Sequence, residues 1–459
     1  MYFTKDVINM NHTTITAIST AIGGGIAIIR LSGADAVSIA KALFKPKGKC
    51  AFESHRMYYG HIIKDERVLD ECMLTIMKAP RSYTKEDVVE ISFHGGMKSA
   101  ELVLNAVIDE GAVLAEPGEF TKRAFLNGRI DLVSAQAVID IINSKTELSH
   151  NQALGRLSGR LSGTIMEIRE SLLDLLAAIE ASIDYPEYDT DEDDPRNCRK
   201  TLETAKVQIQ GLIERGKVGI IISEGLKTVI LGRPNVGKSS LLNRILGTER
   251  AIVTDIPGTT RDILTETISV RGIPLNIADT AGLRDSEDLV ENIGITKSLE
   301  HAADADLVLY VLDGSREIEP ADIDNLNKLK GKQVVLVLNK SDLGRGLDVS
   351  QFIGAPHVFV SASENMGIND LYDTIYGMFL DERVSIENTA LIGNTRDMNS
   401  LKKAFEHVNG ALETMSAGFS EDMAAIDIMD AYVNLGQILG ESLEDDVVDR
   451  IFSKFCLGK

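Results

Sequence analysis

A short run near the middle of the chain has the spacing of a phosphate-binding loop. Residues 232–239 read Gly-Arg-Pro-Asn-Val-Gly-Lys-Ser, which matches G-x-x-x-x-G-K-S. Glycines in such a loop let backbone N–H groups surround a β-phosphate, Lys238 adds a positive charge, and the Ser239 hydroxyl can hold Mg²⁺. The predicted phosphate contacts are Asn235, Val236, Gly237, Lys238, Ser239 and Ser240.

Two later segments could sense a γ-phosphate. Residues 254–262 are polar and turn-rich, as a mobile switch loop requires, and a threonine there can complete the Mg²⁺ shell. The apolar stretch 273–278 ends in Asp-Thr-Ala-Gly, where Asp279 would reach Mg²⁺ through water and Gly282 would offer its N–H. The predicted contacts are Thr254, Asp255, Ile256, Pro257, Gly258, Thr259, Thr260, Asp279, Thr280, Ala281 and Gly282.

A third segment predicts that the base is guanine. The apolar run 334–338 leads into Asn339, Lys340 and, two residues later, Asp342. The Asp342 carboxylate can accept hydrogen bonds from guanine N1–H and the 2-amino group. Adenine offers neither donor and would leave a buried charge unpaired. A last guanine-contacting loop follows the apolar stretch 357–360 and consists of Ser361, Ala362 and Ser363. The sequence therefore predicts a GTPase.

The group that positions the attacking water is not evident from these motifs. Ras-like proteins place a glutamine directly after the Asp-x-x-Gly element, but Leu283 occupies that position. Most charges of the following loop are expected to be solvated, and those that could orient water are Arg284, Asp285, Glu287, Asp288 and Glu291. Although Arg261 and Arg284 lie in the switch segments, neither is identifiable as an arginine finger. Asn235 is either a ligand for a second cation or a turn former.

The elements around these motifs divide the chain into regions. Strands predicted at 25–31, 73–77 and 88–93 and a helix at 99–109 indicate an α+β domain over residues 1–125. Helical periodicity dominates 126–224 and resumes over 383–459, while 225–382 reads as α/β. The expected fold is multidomain: an α+β N-terminal domain, and an α-helical central domain into which an α/β P-loop GTPase domain of the Ras-like type is inserted.

Composition limits the class of protein. With 459 residues, a formal net charge of −21 and four widely separated cysteines, the chain fits a reduced, multidomain protein rather than a general nucleic-acid binder. Residues 1–18 resemble neither a signal nor a transit peptide, and no apolar run is long enough to span a membrane. A cytoplasmic location is expected.

The last four residues, Cys-Leu-Gly-Lys, place a cysteine where a prenylation signal has one. Gly458 and Lys459 do not suit that signal, and the preceding segment is acidic. From chemistry alone, Cys456 is expected to be a small buried core thiol, the usual state of a free cysteine. The alternative is a reactive thiol on a tail that reaches another site.

Motifs outside the nucleotide segments carry a resemblance to a known family. They are Ser82-Tyr83-Thr84 with residues 86–90, the His-Gly-Gly of 94–96, Pro-Gly-Glu-Phe-Thr at 117–121, residues 123–129, and the tail 455–459. Together they resemble the MnmE (TrmE) family of tRNA modification GTPases along the whole chain. Lys85 departs from the pattern because the family usually has glycine there. So do Leu457 and residues 19–22, which approach the glycines at 23–25.

The resemblance implies a set of ligands. It implies that the N-terminal domain forms a homodimer and binds a tetrahydrofolate derivative through Arg30, Glu90, Arg129 and Lys459. It implies K⁺, held by Asn235, Thr254, Ile256 and Thr259, in place of an arginine finger, with Mg²⁺ held by Ser239 and Thr260. Glu291 matches the family's water-orienting glutamate, and Cys456 matches a cysteine implicated in the modification.

The resemblance also implies partners. The family works in a heterotetramer with an FAD-dependent protein, MnmG (GidA). Together they add an aminomethyl or carboxymethylaminomethyl group to C5 of the wobble uridine of certain tRNAs. The alternative, from a different class, is a regulatory or ribosome-assembly GTPase whose output is binding.

Overall fold

The computed structural model describes residues 13–184, 195–248, 266–278, 302–344, 346–348, 355–380 and 391–458. The chain divides into two compact units: Met1–Ile139 with Gly436–Lys459, and Asp140–Leu435. The acidic stretch around 185–194, predicted to be a solvated loop, lies outside the described residues. The domain boundaries predicted at 125, 224 and 382 stay predictions.

The first unit is built on a seven-stranded sheet. Its strands are β1 (Ile15–Ile18), β2 (Ile26–Ser32), β3 (Phe44–Pro46), β4 (Arg56–Lys64), β5 (Arg67–Met77), β6 (Val88–His94) and β7 (Val113–Leu114). They lie in the order β3-β4-β5-β6-β2-β1-β7, with β1–β7 parallel and the other neighbouring pairs antiparallel. The helices are α1 (Ala36–Leu43), α2 (Met97–Asp109) and α3 (Glu119–Leu126).

Alternating apolar residues give this sheet one buried face. Ile29, Leu74 and Ile91 are fully buried in a core that also contains residues of α1 and α2. Because successive side chains of a strand point to opposite faces, the residues between them lie on the other face. The strands and the helix predicted in this region are present, which confirms the α+β character of residues 13–125.

Helices close to the C-terminus complete the first unit. Its second core cluster contains Leu132 and Ala135 at the start of α4 (Leu132–Asn143). These residues pack with Phe452 of α13 (Asp445–Phe452) and with Phe455. Chain segments far apart in sequence therefore form one core.

The second unit contains the remaining helices and a second sheet. Its helical part comprises α5 (Glu147–Leu157), α6 (Arg160–Asp184), α7 (Pro195–Glu224), α11 (Thr395–Ser416) and most of α12 (Glu421–Leu439). The apolar positions predicted for α6 are buried, among them Ile165, Ile168 and Leu172. Thr146 and Ser149 form a capping box at the start of α5. Helices therefore precede and follow the second sheet in sequence.

The second sheet has six strands in the order β13-β12-β11-β8-β10-β9. They are β8 (Leu226–Leu231), β9 (Glu266–Val270), β10 (Ile273–Ile277), β11 (Leu307–Asp313), β12 (Val334–Asn339) and β13 (His357–Phe359), with α8 (Lys238–Thr248), α9 (Pro320–Lys328) and α10 (Ile368–Phe379). Neighbouring strands are parallel except β9 and β10. Their continuous apolar runs are buried on both faces, as is typical of a parallel sheet in an α/β fold.

Within the ranges described above, no helix combines the length and the apolar character that crossing a membrane requires.

Candidate functional site

The predicted nucleotide residues that the structure describes lie at one edge of the six-stranded sheet. The phosphate loop follows β8, Asp313 ends β11, Asn339 ends β12, and Ser361 follows β13. Because these strands are parallel, their carboxyl ends lie at the same edge, where α/β folds bind ligands.

The backbone of the phosphate loop requires particular residues. Gly232 has φ 147°, and a Cβ there would lie 2.3 Å from the Val311 carbonyl oxygen. Gly237 has φ 96°, and its Cβ would lie 2.2 Å from Asn339 Nδ2. Asn235 adopts φ 62°, a left-handed conformation that asparagine tolerates better than most residues. The loop leads into α8 at Lys238, so the helix N-terminus and its free N–H groups adjoin the loop.

Two cations of this loop have defined partners. Lys238 Nζ donates to the carbonyl oxygens of Gly232 and Arg233 at 2.9 and 2.7 Å, so the ammonium group lies against the loop. Arg233 forms an ion pair with Glu319, the residue that precedes α9, and its Nε lies 3.8 Å from an Asp322 carboxylate oxygen. The hydrogen bond with Glu319 is the main cause that raises the pKa of Arg233. Arg233 is therefore anchored to the start of α9.

Asn339 connects the phosphate loop to the last guanine loop. Its side chain is buried, Nδ2 donates to the Val236 carbonyl at 2.9 Å, and Oδ1 accepts from the Ala362 N–H at 3.1 Å. Arg244 of α8 supports the same loop by donating to the carbonyl oxygens of Ala362 and Ser363, both at 2.9 Å. One asparagine thus sets the spacing between the predicted phosphate and base contacts.

Asp313 holds Lys340, one of the residues predicted to contact guanine. Lys340, at φ 63°, places Nζ 2.8 Å from Asp313 Oδ2. Burial acts to raise the pKa of Asp313, but hydrogen bonds from Lys340 and Ser315 outweigh burial and leave that pKa below its usual value. Asp342 is exposed in the short 3₁₀ turn Ser341–Leu343. The carboxylate predicted to read guanine is therefore accessible at the sheet edge.

Several predicted residues lie outside the described residues. They are Thr254, Asp255, Ile256, Pro257, Gly258, Thr259, Thr260, Asp279, Thr280, Ala281, Gly282, Glu291 and Lys459. In the part of the chain that is described, no group of three or more His, Cys, Asp or Glu residues could hold a metal ion. The predicted donors there are the Ser239 hydroxyl and the Asn235 amide oxygen, and oxygen donors suit Mg²⁺ and K⁺.

The first unit contains a second cluster of predicted site residues. Arg30 on β2 lies directly opposite Glu90 on β6, and Arg30 Nη2 is 2.8 Å from Glu90 Oε1. Their side chains are 18% and 26% exposed. Arg30 Nη1 also donates to the Gly458 carbonyl at 3.2 Å, so the C-terminal tail reaches this ion pair.

Aromatic rings surround the same arginine. The Arg30 guanidinium carbon lies 5.9 Å from the centre of the Tyr83 ring and 5.7 Å from that of Phe120. Arg129, the third predicted residue of the set, lies 4.7 Å from the Tyr83 ring. The structure thus brings Arg30, Glu90 and Arg129 together around one tyrosine. This arrangement can bind an aromatic ligand that carries carboxylates.

The expectation of a buried thiol at Cys456 is wrong, because Cys456 is exposed. Its neighbour Phe455 fills the core cluster beside Phe452 instead. The Cys456 carbonyl accepts from the Gly118 N–H at 3.4 Å, so the backbone holds the tail while the thiol is accessible. The alternative of a substrate-facing thiol therefore stays open.

A buried ion cluster around Arg123 was not predicted. Arg123 of α3 is 2% exposed and donates to Glu119 at 2.8 Å, to Glu86 at 3.2 Å and to the Thr13 carbonyl at 2.9 Å. Glu86 Oε2 also accepts from the Ser32 hydroxyl at 2.6 Å. The i, i+4 spacing of Glu119 and Arg123 is the one sequence signal that could have indicated part of this cluster.

A mostly parallel α/β sheet with a phosphate loop after its strand β8 and a guanine-type loop after β12 defines a P-loop GTPase. Similarity to known proteins narrows this class to one family. The family profile described as "GTP-binding protein TrmE N-terminus" matches residues 14–129, and the one described as "MnmE helical domain" matches residues 132–456. The chain belongs to the MnmE family of tRNA modification GTPases.

Full-length relatives agree with this assignment. The tRNA modification GTPase MnmE of Bacillus subtilis (strain 168) is 45% identical over 97% of this chain and 100% of its own length. That of Geobacillus kaustophilus (strain HTA426) is 46% identical over 97% of this chain and 99% of its own length.

Among solved structures, the G domain of the T. maritima FeoB iron transporter is 27% identical over 33% of this chain and 97% of its own, with a TM-score of 0.25.

Proposed function

We propose that this chain is a potassium-stimulated GTP hydrolase that modifies tRNA with an FAD-dependent partner, MnmG (GidA). It adds an aminomethyl or carboxymethylaminomethyl group to C5 of the wobble uridine, with a tetrahydrofolate derivative as the one-carbon donor. The observation that carries this proposal is the Arg30–Glu90 pair beside Arg129 and the C-terminal tail. A regulatory GTPase switch, the alternative, has no need of this second site.

In the nucleotide site, the chain's own groups bind and orient. The N–H groups at the start of α8 and the Lys238 ammonium bind phosphate oxygens. Ser239 and Thr260 would hold Mg²⁺, which supplies charge compensation on the phosphates. Asn235, with Thr254, Ile256 and Thr259, would hold K⁺. Glu291 would orient the attacking water, the role that Leu283 cannot fill.

In the second site, the residue types suit a folate. The Glu90 carboxylate can accept from the N–H donors of a pterin ring, and Arg30, Arg129 and Lys459 can bind carboxylates. Cys456, exposed on the tail, acts in the modification. The donor set therefore fits a flat aromatic ligand with an acidic end.

The proposed assembly is a homodimer within a heterotetramer that also contains the partner, in the cytoplasm. Exposed apolar residues on the sheet face opposite the α1–α2 core support a contact between copies. Ile26, Met57 and Tyr59 lie on this face with 67%, 60% and 44% exposure, and they add apolar area to it. We also propose that the GTPase domain, residues 225–382, is Ras-like and inserted between helical parts at 126–224 and 383–459.

Wobble-uridine modification should be lost in strains that carry Glu291→Ala or Cys456→Ser. The first variant removes the group that orients water, and the second removes the thiol. Nucleoside analysis of bulk tRNA by mass spectrometry measures the modified uridine, with Cys198→Ser, a buried helical cysteine, as the control. Normal tRNA nucleosides in both strains would favour the regulatory switch instead.

Potassium should accelerate GTP hydrolysis by at least about tenfold over sodium at equal ionic strength, because an arginine finger that K⁺ replaces is worth more than this. Asn235→Ala should remove most of the difference between the two salts. Phosphate release at saturating GTP measures both effects. Equal rates for the unaltered protein in KCl and NaCl would reject the K⁺ assignment.

A further inference from the structure

The loop between β5 and β6 carries a lysine in an unusual conformation. Lys85 has φ 60°, a region that glycine adopts far more readily than residues with a side chain. The same loop carries Tyr83, whose ring centre lies 5.9 Å from the Arg30 guanidinium carbon and 4.7 Å from that of Arg129.

The Lys85 side chain binds the end of α3. Its Nζ donates to the carbonyl oxygens of Asn127 at 3.0 Å and Gly128 at 2.8 Å, directly after the helix ends at Leu126. Cations are favoured at helix C-termini because carbonyl groups there lack intrahelical partners. Asn127 Nδ2 donates back to the Thr84 carbonyl at 2.7 Å. Lys85 and Asn127 thus form a reciprocal latch between the loop and α3.

Arg129 is the next residue after this latch. Its N–H donates to the Ala124 carbonyl at 2.9 Å, and its guanidinium lies over the Tyr83 ring. The Tyr83 hydroxyl is 2.9 Å from the Thr121 hydroxyl of α3, so the loop and the helix are also joined on this side. The segments that carry Tyr83 and Arg129 are therefore tied together at two points.

Arg129 and Arg30 both lie close to the Tyr83 ring, and they carry like charges. Glu90 offsets the charge of Arg30. Arg129 is instead placed by the backbone that Lys85 holds, so an anionic ligand would find both guanidinium groups already in position. Ordering such side chains in advance lowers the entropic cost of binding.

We propose that Lys85 is a positioning residue of the second site, which holds Arg129 beside Arg30 for a carboxylate-bearing aromatic ligand. Lys85 does not itself contact that ligand. This proposal rests on the folate part of the proposed function and adds a residue that positions Arg129 in this chain.

The test uses the full chain and 5-formyltetrahydrofolate as the probe, with Kd measured by calorimetry. Lys85→Gly should raise Kd about tenfold, the effect of losing a charge-assisted contact. Its melting temperature should stay close to the original, because glycine relieves the left-handed conformation. Lys85→Arg should restore Kd to within about twofold of the original, since a guanidinium also donates to both carbonyls. Glu66→Gly is the control, because Glu66 has a similar φ of 63° in the turn between β4 and β5.

Hydrogen exchange gives a second readout that needs no ligand. The Gly128 and Arg129 amides should exchange faster in Lys85→Gly than in Glu66→Gly. If the unaltered protein binds the probe and Lys85→Gly binds it with the same Kd, the Lys85 proposal is overturned and the folate assignment is not. Unchanged exchange at these amides would also overturn the Lys85 proposal alone. Absence of binding by the unaltered protein would overturn the folate assignment, and with it this proposal.

Discussion

Replacing Arg123 by leucine is expected to lower the free energy of unfolding of the first unit by about 3–5 kcal/mol, the usual cost of removing one partner from a buried ion pair. Glu86 and Glu119 depend on this guanidinium, and their side chains are only 14% and 12% exposed. Without Arg123, two carboxylates that are mostly shielded from water would lose the charge that compensates them. The loss should therefore exceed that of any exposed ion pair.

Native-state hydrogen exchange in α3 and β6 measures this loss locally. Arg56→Leu is the matched control, because its ion pair with Glu53 is more than half exposed and should contribute under about 1 kcal/mol. Adding Glu86→Gln and Glu119→Gln to Arg123→Leu should recover part of the stability, since neutral amides are less costly to bury. A cost for Arg123→Leu no larger than that of Arg56→Leu would contradict the buried-cluster interpretation.

Asn339→Ala should weaken GTP binding by about 100-fold, which corresponds to two hydrogen bonds of about 1–1.5 kcal/mol each. The substitution removes the contacts to Val236 and Ala362 and leaves their buried backbone groups unpaired. The phosphate loop and the guanine loop would then lose their common support. The phosphate contacts and the base contacts would weaken together.

Titration with a fluorescent GTP analogue measures this loss of affinity. Asn325→Ala is the control, because Asn325 on α9 donates to the Tyr310 hydroxyl at 3.4 Å and lies outside the nucleotide motifs. It should leave Kd within about twofold of the original value, as expected for a long, weak hydrogen bond. An Asn339→Ala protein that binds as tightly as the Asn325→Ala protein would show that the two loops hold their positions without the bridge.

Local sequence signals predicted the elements that carry the nucleotide residues. The strand before the phosphate loop, the helix after it and the strand before Asn339 all lie where periodicity placed them. These predictions succeeded because a parallel strand buried on both faces reads as an apolar run, and glycines mark the turns. The Cys456 prediction failed because general burial statistics cannot tell which of two adjacent residues, Phe455 or Cys456, turns inward.

The sequence by itself determined that the protein is a GTPase, because the predicted phosphate and base contacts lie in short contiguous motifs whose backbone geometry is local. It also determined the family, through motifs spread over the whole chain. Only the tertiary structure decided which distant residues meet. The pairing of Arg30 with Glu90, the burial of Arg123 between two glutamates, and the Lys85–Asn127 latch depend on strand register and on the packing of α3. No local pattern encodes such long-range contacts, since they form when separate segments share one core.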